Sequence, residues 1–315
     1  MSMILSRAWA LAALILAASM SQGNVKSAES AGWEPSPGHR QVPIWPGAVP
    51  GGQSVPGPET ASDGDVTNVS QPTITVYAPG GKAGGATVIV IPGGGFQELA
   101  MSLEGTEICD WLTSRGITCV LLKYRVPSLP YVWQCDCRPH NLALSVPSLQ
   151  DTQRAVRVVR SRAGEWQVDP RKIGVLGFSA GGFLVAEIST HFDDRLYAAV
   201  DAADQESARP DFAVALYPGH LALGGNVIAL NRDIESHITP LTPPTFLLQN
   251  EDDHVDKVED ALSYYMGLKK KGVPVELHSY AQGGHAFGLR ETKLPVSAWP
   301  LLVESWLKTI GMIAE

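Results

Sequence analysis

Lys172-Ile173-Gly174-Val175-Leu176-Gly177-Phe178-Ser179-Ala180-Gly181-Gly182 is the stretch that decides how this chain folds. Its first part, 172–177, is a mostly apolar run typical of a buried strand, and 179–190 carries apolar residues at helical spacing. Ser179 therefore stands between two glycines at a strand-to-helix turn. A Gly-x-Ser-x-Gly turn of this kind exposes a serine hydroxyl at the end of a strand, so we predict Ser179 as a nucleophile.

Strand and helix patterns alternate on both sides of this turn. The strand patterns lie at 73–77, 87–91, 117–124, 172–177, 212–217, 245–249 and 275–280, and the helical ones at 104–115, 147–164, 179–190, 257–271 and 299–313. This alternation predicts an α/β fold, a three-layer αβα sandwich around a mostly parallel sheet. The active site of such a sheet lies beyond the carboxyl ends of its strands, where the irregular segments 127–145 and 219–244 could wall a pocket.

A serine hydroxyl needs a base to take its proton and a third group to orient that base. The base is expected late in the chain, on the loop after the last strand, and Gly283-Gly284-His285 occupies that position. The neighbouring glycines allow the turn that would carry an imidazole toward Ser179. We therefore predict His285 as the base.

The acid is expected after the preceding strand, because nucleophile, acid and histidine follow one another in this chain order. Glu251, Asp252 and Asp253 are the candidates there. The spacing acid-x-x-Val to Val255 favours Asp252, with Asp253 and Glu251 as alternatives. The acid would fix the imidazole tautomer and stabilise the imidazolium.

The glycine run in Pro92-Gly93-Gly94-Gly95-Phe96 follows the predicted strand 87–91. Backbone N–H groups of Gly94 and Gly95, together with that of Ala180, could form an oxyanion hole. No Lys-Ser or Lys-Thr pair ends the run, which excludes a phosphate-binding P-loop.

Composition limits the kinds of partner. The chain has 315 residues, of which 44% are hydrophobic and 18% charged, and its net charge is −8. A chain with this charge and no basic patch is not expected to bind nucleic acid.

The chain has four cysteines. Cys109, Cys119, Cys135 and Cys137 allow three disulfide pairings. The Cys135/Cys137 pair lacks a second pair at metal spacing, so neither a metal nor a cofactor is expected.

The N-terminus has the layout of a secretory signal peptide. Arg7 precedes an apolar stretch at 8–18, and small and polar residues follow. We predict a signal peptide at 1–28, cleaved somewhere between Ser19 and Glu29. The protein that remains is expected to be periplasmic or secreted, with no membrane span. A retained membrane anchor is the alternative. The Pro- and Gly-rich residues 29–72 are interpreted as an extended arm, and 73–315 as the catalytic domain.

The sequence resembles the α/β-hydrolase superfamily, and more closely the secreted bacterial esterases of the acetylxylan-esterase-like or dienelactone-hydrolase-like type. The matching stretches are 92–96, 103–107, 122–127, 174–182, 251–253 and 283–288. The resemblance implies an α/β-hydrolase fold and cofactor-free ester hydrolysis, with Ser179, Asp252 and His285 at the triad positions. The chain has Pro92 where a histidine often begins the oxyanion motif. Its nucleophile is a serine, whereas dienelactone hydrolases usually have a cysteine.

The resemblance implies a substrate as well, an acetylated plant polysaccharide. Phe96, Trp133 and Tyr217 are candidates for stacking on a sugar ring. The alternatives are a general carboxylesterase for small esters, a peptidase of the same fold, and a non-catalytic carbohydrate-binding protein.

Overall fold

A computed structural model describes residues 32–52, 55–81, 85–128, 144–224 and 228–314. The strands are β1 (Gln41–Pro43), β2 (Thr60–Ser62), β3 (Asp65–Thr67), β4 (Thr73–Tyr77), β5 (Thr87–Ile91), β6 (Glu98–Leu99), β7 (Thr118–Lys123), β8 (Ile173–Phe178), β9 (Ala213–Leu216), β10 (Thr245–Asn250) and β11 (Val275–Tyr280). The helices are α1 (Glu107–Ser114), α2 (Val146–Ser161), α3 (Ala163–Trp166), α4 (Ala180–Thr190), α5 (Arg232–His237), α6 (Val258–Lys270) and α7 (Trp299–Thr309).

The main sheet has the strand order β1-β4-β7-β5-β8-β9-β10-β11. From β7 to β11 the described strands pair in parallel, whereas β1 with β4 and β4 with β7 pair antiparallel. Strands such as β5 and β8 are buried along their whole length, which is why they read as continuous apolar runs. The carboxyl ends of the parallel strands therefore meet along one edge of the sheet.

Helices cover both faces of this sheet. Neighbouring residues of β8 point to opposite sides, because side chains alternate along a strand. Gly177 faces Val185 of α4, whereas the ring of Phe178 lies 6.1 Å from that of Trp299 in α7. The Trp299 ring in turn lies 5.4 Å from the Trp111 ring in α1. The predicted three-layer α/β sandwich is confirmed.

Two segments contain more regular structure than the sequence pattern predicts. Within the arm, β1 adds an edge strand to the main sheet, and β2 and β3 form a small sheet with β6. Trp33 and Trp45 anchor this segment in the core. The predicted irregular segment 219–244 contains α5, which lies against α4.

Cysteine pairing is settled for the described part of the chain. Cys109 of α1 and Cys119 of β7 form a disulfide, with their Cα atoms 5.2 Å apart. The predicted signal peptide, Trp133, Cys135 and Cys137 lie outside the described residues. Within the described ranges, no helix has both the length and the apolar character needed to cross a bilayer.

Glu187 is a carboxyl buried inside α4, and it gives a prediction about stability. Burial, reinforced by the charge of Asp233, raises the pKa of Glu187 to about 8, against an ordinary glutamate value of about 4.3. Between these two values the folded protein holds a proton that the unfolded chain has released. The free energy of unfolding attributable to Glu187 therefore falls as the pH rises through this window.

We expect Glu187→Gln to remove this pH dependence. The Gln carbonyl can still accept the Ser145 N–H, now 2.8 Å from Glu187 Oε1, and it carries no charge to bury. Urea unfolding in the presence of EDTA should show the variant more stable than the wild type near pH 8, by about 2–4 kcal/mol, and this advantage should shrink toward pH 5. Glu291→Gln, at an exposed position, is the matched control. An advantage independent of pH would contradict the prediction.

Candidate active site

Ser179 occupies the turn between β8 and α4 in a strained backbone conformation. Its φ is 51° and its ψ is −118°, a region that a non-glycine residue enters only when its surroundings impose it. The flanking glycines allow this because backbone packs directly against them. A Cβ at Gly177 would lie 2.3 Å from the carbonyl oxygen of Gly181, and one at Gly181 would lie 2.1 Å from that of Ile91.

A hydrogen-bonded chain runs from Ser179 through His285 to Asp253. His285 Nε2 lies 3.0 Å from Ser179 Oγ, and His285 Nδ1 lies 2.7 Å from Asp253 Oδ2. Since an ionised carboxylate only accepts, Nδ1 carries the ring proton and Nε2 is left to accept the serine hydroxyl proton. The structure thus brings together the predicted nucleophile and the predicted base.

Asp253 is held rigidly beneath the imidazole. Its Oδ1 accepts the N–H groups of Val255 and Asp256, at 2.9 and 3.0 Å. Its Oδ2 accepts from Gln249 Nε2 at 3.0 Å in addition to His285. The Asp253 side chain is fully buried, so these partners fix its orientation.

The prediction of Asp252 as the acid is wrong. Asp252 is exposed, and its Oδ1 accepts the N–H groups of Gly283 and Gly284 at 2.9 and 2.8 Å. It shapes the loop that carries His285 without touching the ring. The reason is that β10 continues to Asn250, one residue beyond the predicted end, which shifts the turn so that Asp253 points under the imidazole. Glu251, the other alternative, is exposed.

The glycine loop after β5 is held by a buried carboxyl that the sequence did not single out. Glu104 Oε2 accepts the N–H of Gly93 at 2.7 Å, and its Oε1 accepts the Tyr217 hydroxyl at 2.8 Å. Burial raises the pKa of Glu104, although these two hydrogen bonds oppose the shift. Within the described chain, the N–H groups of Gly94, Gly95 and Ala180 form no hydrogen bond. They are therefore available to an incoming oxyanion.

Two of the predicted sugar-stacking residues do not line an open pocket. Phe96 is fully buried, and its ring packs edge-on against Tyr124 and Phe183. Tyr217 is also fully buried, and its ring lies 4.8 Å from that of His285. An aromatic ring with no exposed face cannot stack on a sugar, so the prediction is wrong for both. Tyr217 instead links Glu104 to the imidazole.

Comparisons with known proteins identify the family of this chain. The family model described as BD-FAE matches residues 74–218. The solved structure of an acetyl ester-xyloside bifunctional hydrolase from Caldicellulosiruptor lactoaceticus is 32% identical, with a TM-score of 0.70, over 87% of this chain and 97% of that one. The chain belongs to the acetylxylan-esterase-like α/β-hydrolases.

Two curated relatives of this α/β-hydrolase are longer proteins. An acetylxylan esterase of Xylanibacter ruminicola is 27% identical over 226 residues, which cover 65% of this chain and 41% of that protein. Endo-1,4-beta-xylanase B of Butyrivibrio fibrisolvens is 28% identical over 217 residues, which cover 63% of this chain and 32% of that protein. The chain thus spans less than half the length of these two relatives.

This α/β-hydrolase has a second buried carboxyl beside its serine, which the sequence analysis missed. Asp256 Oδ2 lies 3.4 Å from Ser179 Oγ and 3.9 Å from His285 Nε2. The Asp256 side chain packs so closely on Gly219 that a Cβ there would lie 2.2 Å from its Oδ1. The signal available in the sequence was the number of acids in 251–256, which exceeds what one triad needs.

The charge around His285 favours its protonated form. Burial by itself would lower the pKa of this histidine. The hydrogen bond to Asp253 and the charges of Asp256, Asp253 and Glu104 outweigh that effect and raise the pKa of His285 above its usual value of about 6.5. The site is therefore built to stabilise an imidazolium.

Proposed function

We propose that this protein is an exported serine carboxylesterase that removes acetyl groups from plant polysaccharide through an acyl-enzyme. The observation that carries the proposal is the hydrogen-bonded chain from Ser179 through His285 to Asp253. A nucleophile lies 3.0 Å from a base, and that base lies 2.7 Å from an orienting acid.

Each group has a defined step. Ser179 Oγ attacks the ester carbonyl carbon while His285 Nε2 accepts its proton. The C–O bond to the alcohol then breaks, and the imidazolium returns the proton to the leaving oxygen. Water attacks the acyl-enzyme by the same route, releases acetate and restores Ser179.

The developing oxyanion is assigned to the N–H groups of Ala180 and of Gly94 or Gly95. Ala180 follows the nucleophile at the start of α4, where a helix leaves its first N–H groups without intrahelical partners. Glu104 supports the assignment because it occupies the Gly93 N–H and so fixes the loop that presents the next two. Donors of this kind typically contribute about 3 kcal/mol each to transition-state stabilisation.

Export is supported by two independent features. The first is the arrangement of Arg7 and the apolar stretch at 8–18, which is typical of a signal peptide. The second is the disulfide between Cys109 and Cys119, since disulfides form and persist mainly in oxidising compartments. The acetylated substrate is supported by the similarity to an acetylxylan esterase and to an acetyl ester-xyloside bifunctional hydrolase.

The function is tested by measuring acetate release from acetylated xylan, acetylated xylo-oligosaccharides and acetylated monosaccharides, beside p-nitrophenyl acetate and butyrate. We expect turnover of the acetylated xylan substrates, and a preference for acetate over butyrate of about tenfold or more. If the protein hydrolyses only the aryl esters, its substrate class is small esters and not acetylated polysaccharide. If the folded protein hydrolyses none of these esters, the proposed enzymatic function is wrong.

Asp256 gives a prediction about the pH profile of this reaction. His285 must be neutral to accept the serine proton, so kcat/KM falls as the pH drops through its raised pKa. Asp256→Asn removes one of the charges that raise this pKa. We therefore expect the acid limb of the kcat/KM profile for p-nitrophenyl acetate to move to lower pH.

The matched control is Asp252→Asn, because Asp252 contacts the histidine loop but is not among the charges that shift the pKa of His285. Its acid limb should stay in place. An unchanged limb in Asp256→Asn, or a shift to higher pH, would show that Asp256 does not act on His285 through its charge.

A further inference from the structure

A cluster of imidazoles and carboxylates lies at the far end of α4 from Ser179. His191 directly follows α4, Asp194 comes three residues later, and Asp233 and His237 lie one turn apart on α5. One ligand atom each from His191, Asp233 and His237 lies within 4.8 Å of the others. We call these four residues the α4–α5 cluster. They have no part in the proposed ester hydrolysis.

His191 is the buried anchor of the cluster, with 1% of its side chain exposed. Its Nδ1 faces the carbonyl oxygen of Glu187 and Thr190 Oγ1, at 3.2 and 2.9 Å. Thr190 donates its own proton to Ala186, so both groups accept from Nδ1. The ring proton therefore sits on Nδ1, and Nε2 presents a lone pair.

That lone pair has no hydrogen-bond partner among the described residues. Asp233 Oδ2 lies 3.3 Å from Nε2 but out of line for a hydrogen bond. A lone pair facing a carboxylate is repulsive unless a cation lies between them.

His237, on α5, has the same tautomer as His191. Its Nδ1 lies 2.7 Å from the carbonyl oxygen of Asp233, which fixes the proton on Nδ1 and leaves Nε2 as a second lone pair. That Nε2 lies 3.9 Å from Asp194 Oδ2. The two imidazole rings lie with their centroids 4.1 Å apart and their planes tilted by 35°. A histidine whose other nitrogen donates to a carbonyl is the usual state of a metal ligand.

We propose that the α4–α5 cluster binds one Zn²⁺ ion, through Nε2 of His191 and His237 and a carboxylate oxygen each from Asp233 and Asp194. The two carboxylates balance the charge of the ion, and two nitrogens with two oxygens suit zinc better than Ca²⁺ or Mg²⁺. Ligands at tetrahedral zinc lie about 3.3 Å apart. His191 and Asp233 already meet this spacing.

The remaining ligands can move to close the site. The side chains of His237, Asp233 and Asp194 are 38%, 44% and 43% exposed, so they can reorient around the fixed His191. The ion would tie α5 to the end of the nucleophile-bearing helix. Its effect is on stability, and the proposal stands independently of the proposed function.

The test uses the full mature protein freed of metal with EDTA and then dialysed. Titration with ZnCl₂ near pH 7.5, followed by calorimetry, should give one site with a micromolar or tighter Kd. At a free Zn²⁺ concentration a hundredfold above Kd, Tm should rise by about 4 °C. Ca²⁺ and Mg²⁺ should leave Tm unchanged.

Variants separate this site from other histidines. His237→Asn changes a half-exposed side chain and should abolish both the binding heat and the Tm rise. His278→Asn, at another partly exposed histidine paired with a glutamate, should retain both. His285→Ala should also retain both, which excludes zinc binding at the serine site. No binding by the wild type, or equal binding by His237→Asn, would overturn the proposal.

Discussion

Ser179→Ala should lower kcat for p-nitrophenyl acetate and for acetylated xylo-oligosaccharide by at least about 10⁴-fold. The substitution removes the oxygen that would form the acyl-enzyme. His285 and Asp253 would keep their hydrogen bond, but they would have no serine proton to receive. Residual activity would come from the oxyanion hole and substrate binding alone.

Folding and covalent labelling distinguish this loss from a structural one. The Ser179 side chain is small and borders the site, so the variant should unfold at the wild-type temperature within a few degrees. A fluorophosphonate reagent should add one label to the wild type and none to Ser179→Ala. Ser161→Ala, an exposed serine at the end of α2, is the matched control and should keep full activity. An active, unlabelled Ser179→Ala protein would contradict the nucleophile assignment.

The sequence predicts the sheet well because burial leaves a clear pattern there. The bounds of β4, β5 and β11 agree with the predicted strands, since each is an apolar or alternating run bounded by turn residues. The end of β10 was missed by one residue. Asn250 is polar and breaks the apolar run, yet its backbone pairs with Tyr280 and its side chain donates to the Gly284 carbonyl.

The missed strand residue Asn250 is the reason that the sequence favoured Asp252 over Asp253. Asp252 and Asp253 follow the same strand, and local spacing cannot tell which one points at a loop 32 residues later. The burial of Phe96 and Tyr217 is equally invisible, because an aromatic residue beside a glycine run can face either a pocket or the core. Glu104 and Asp256 act through contacts between distant segments, which periodicity does not encode.

Asp253→Asn should lower kcat by about 10⁴-fold, whereas Asp252→Asn should change it by less than about tenfold. The N–H groups of Val255 and Asp256 require an acceptor at the Oδ1 position, so the amide oxygen of the variant at position 253 stays there and its NH₂ group takes the place of Oδ2. That NH₂ then donates to His285 Nδ1. The imidazole is forced into the tautomer with its proton on Nε2, which cannot accept a proton from Ser179.

The amide oxygen introduced by Asp252→Asn, by contrast, still accepts the N–H groups of Gly283 and Gly284, so the histidine loop keeps its shape. Steady-state kinetics of the two variants with p-nitrophenyl acetate, beside their melting curves, check the prediction. Asp253→Asn should also lose stability, because its NH₂ group faces the donor Nε2 of Gln249. A larger loss of kcat in Asp252→Asn than in Asp253→Asn would show that the triad acid is Asp252, as the sequence favoured.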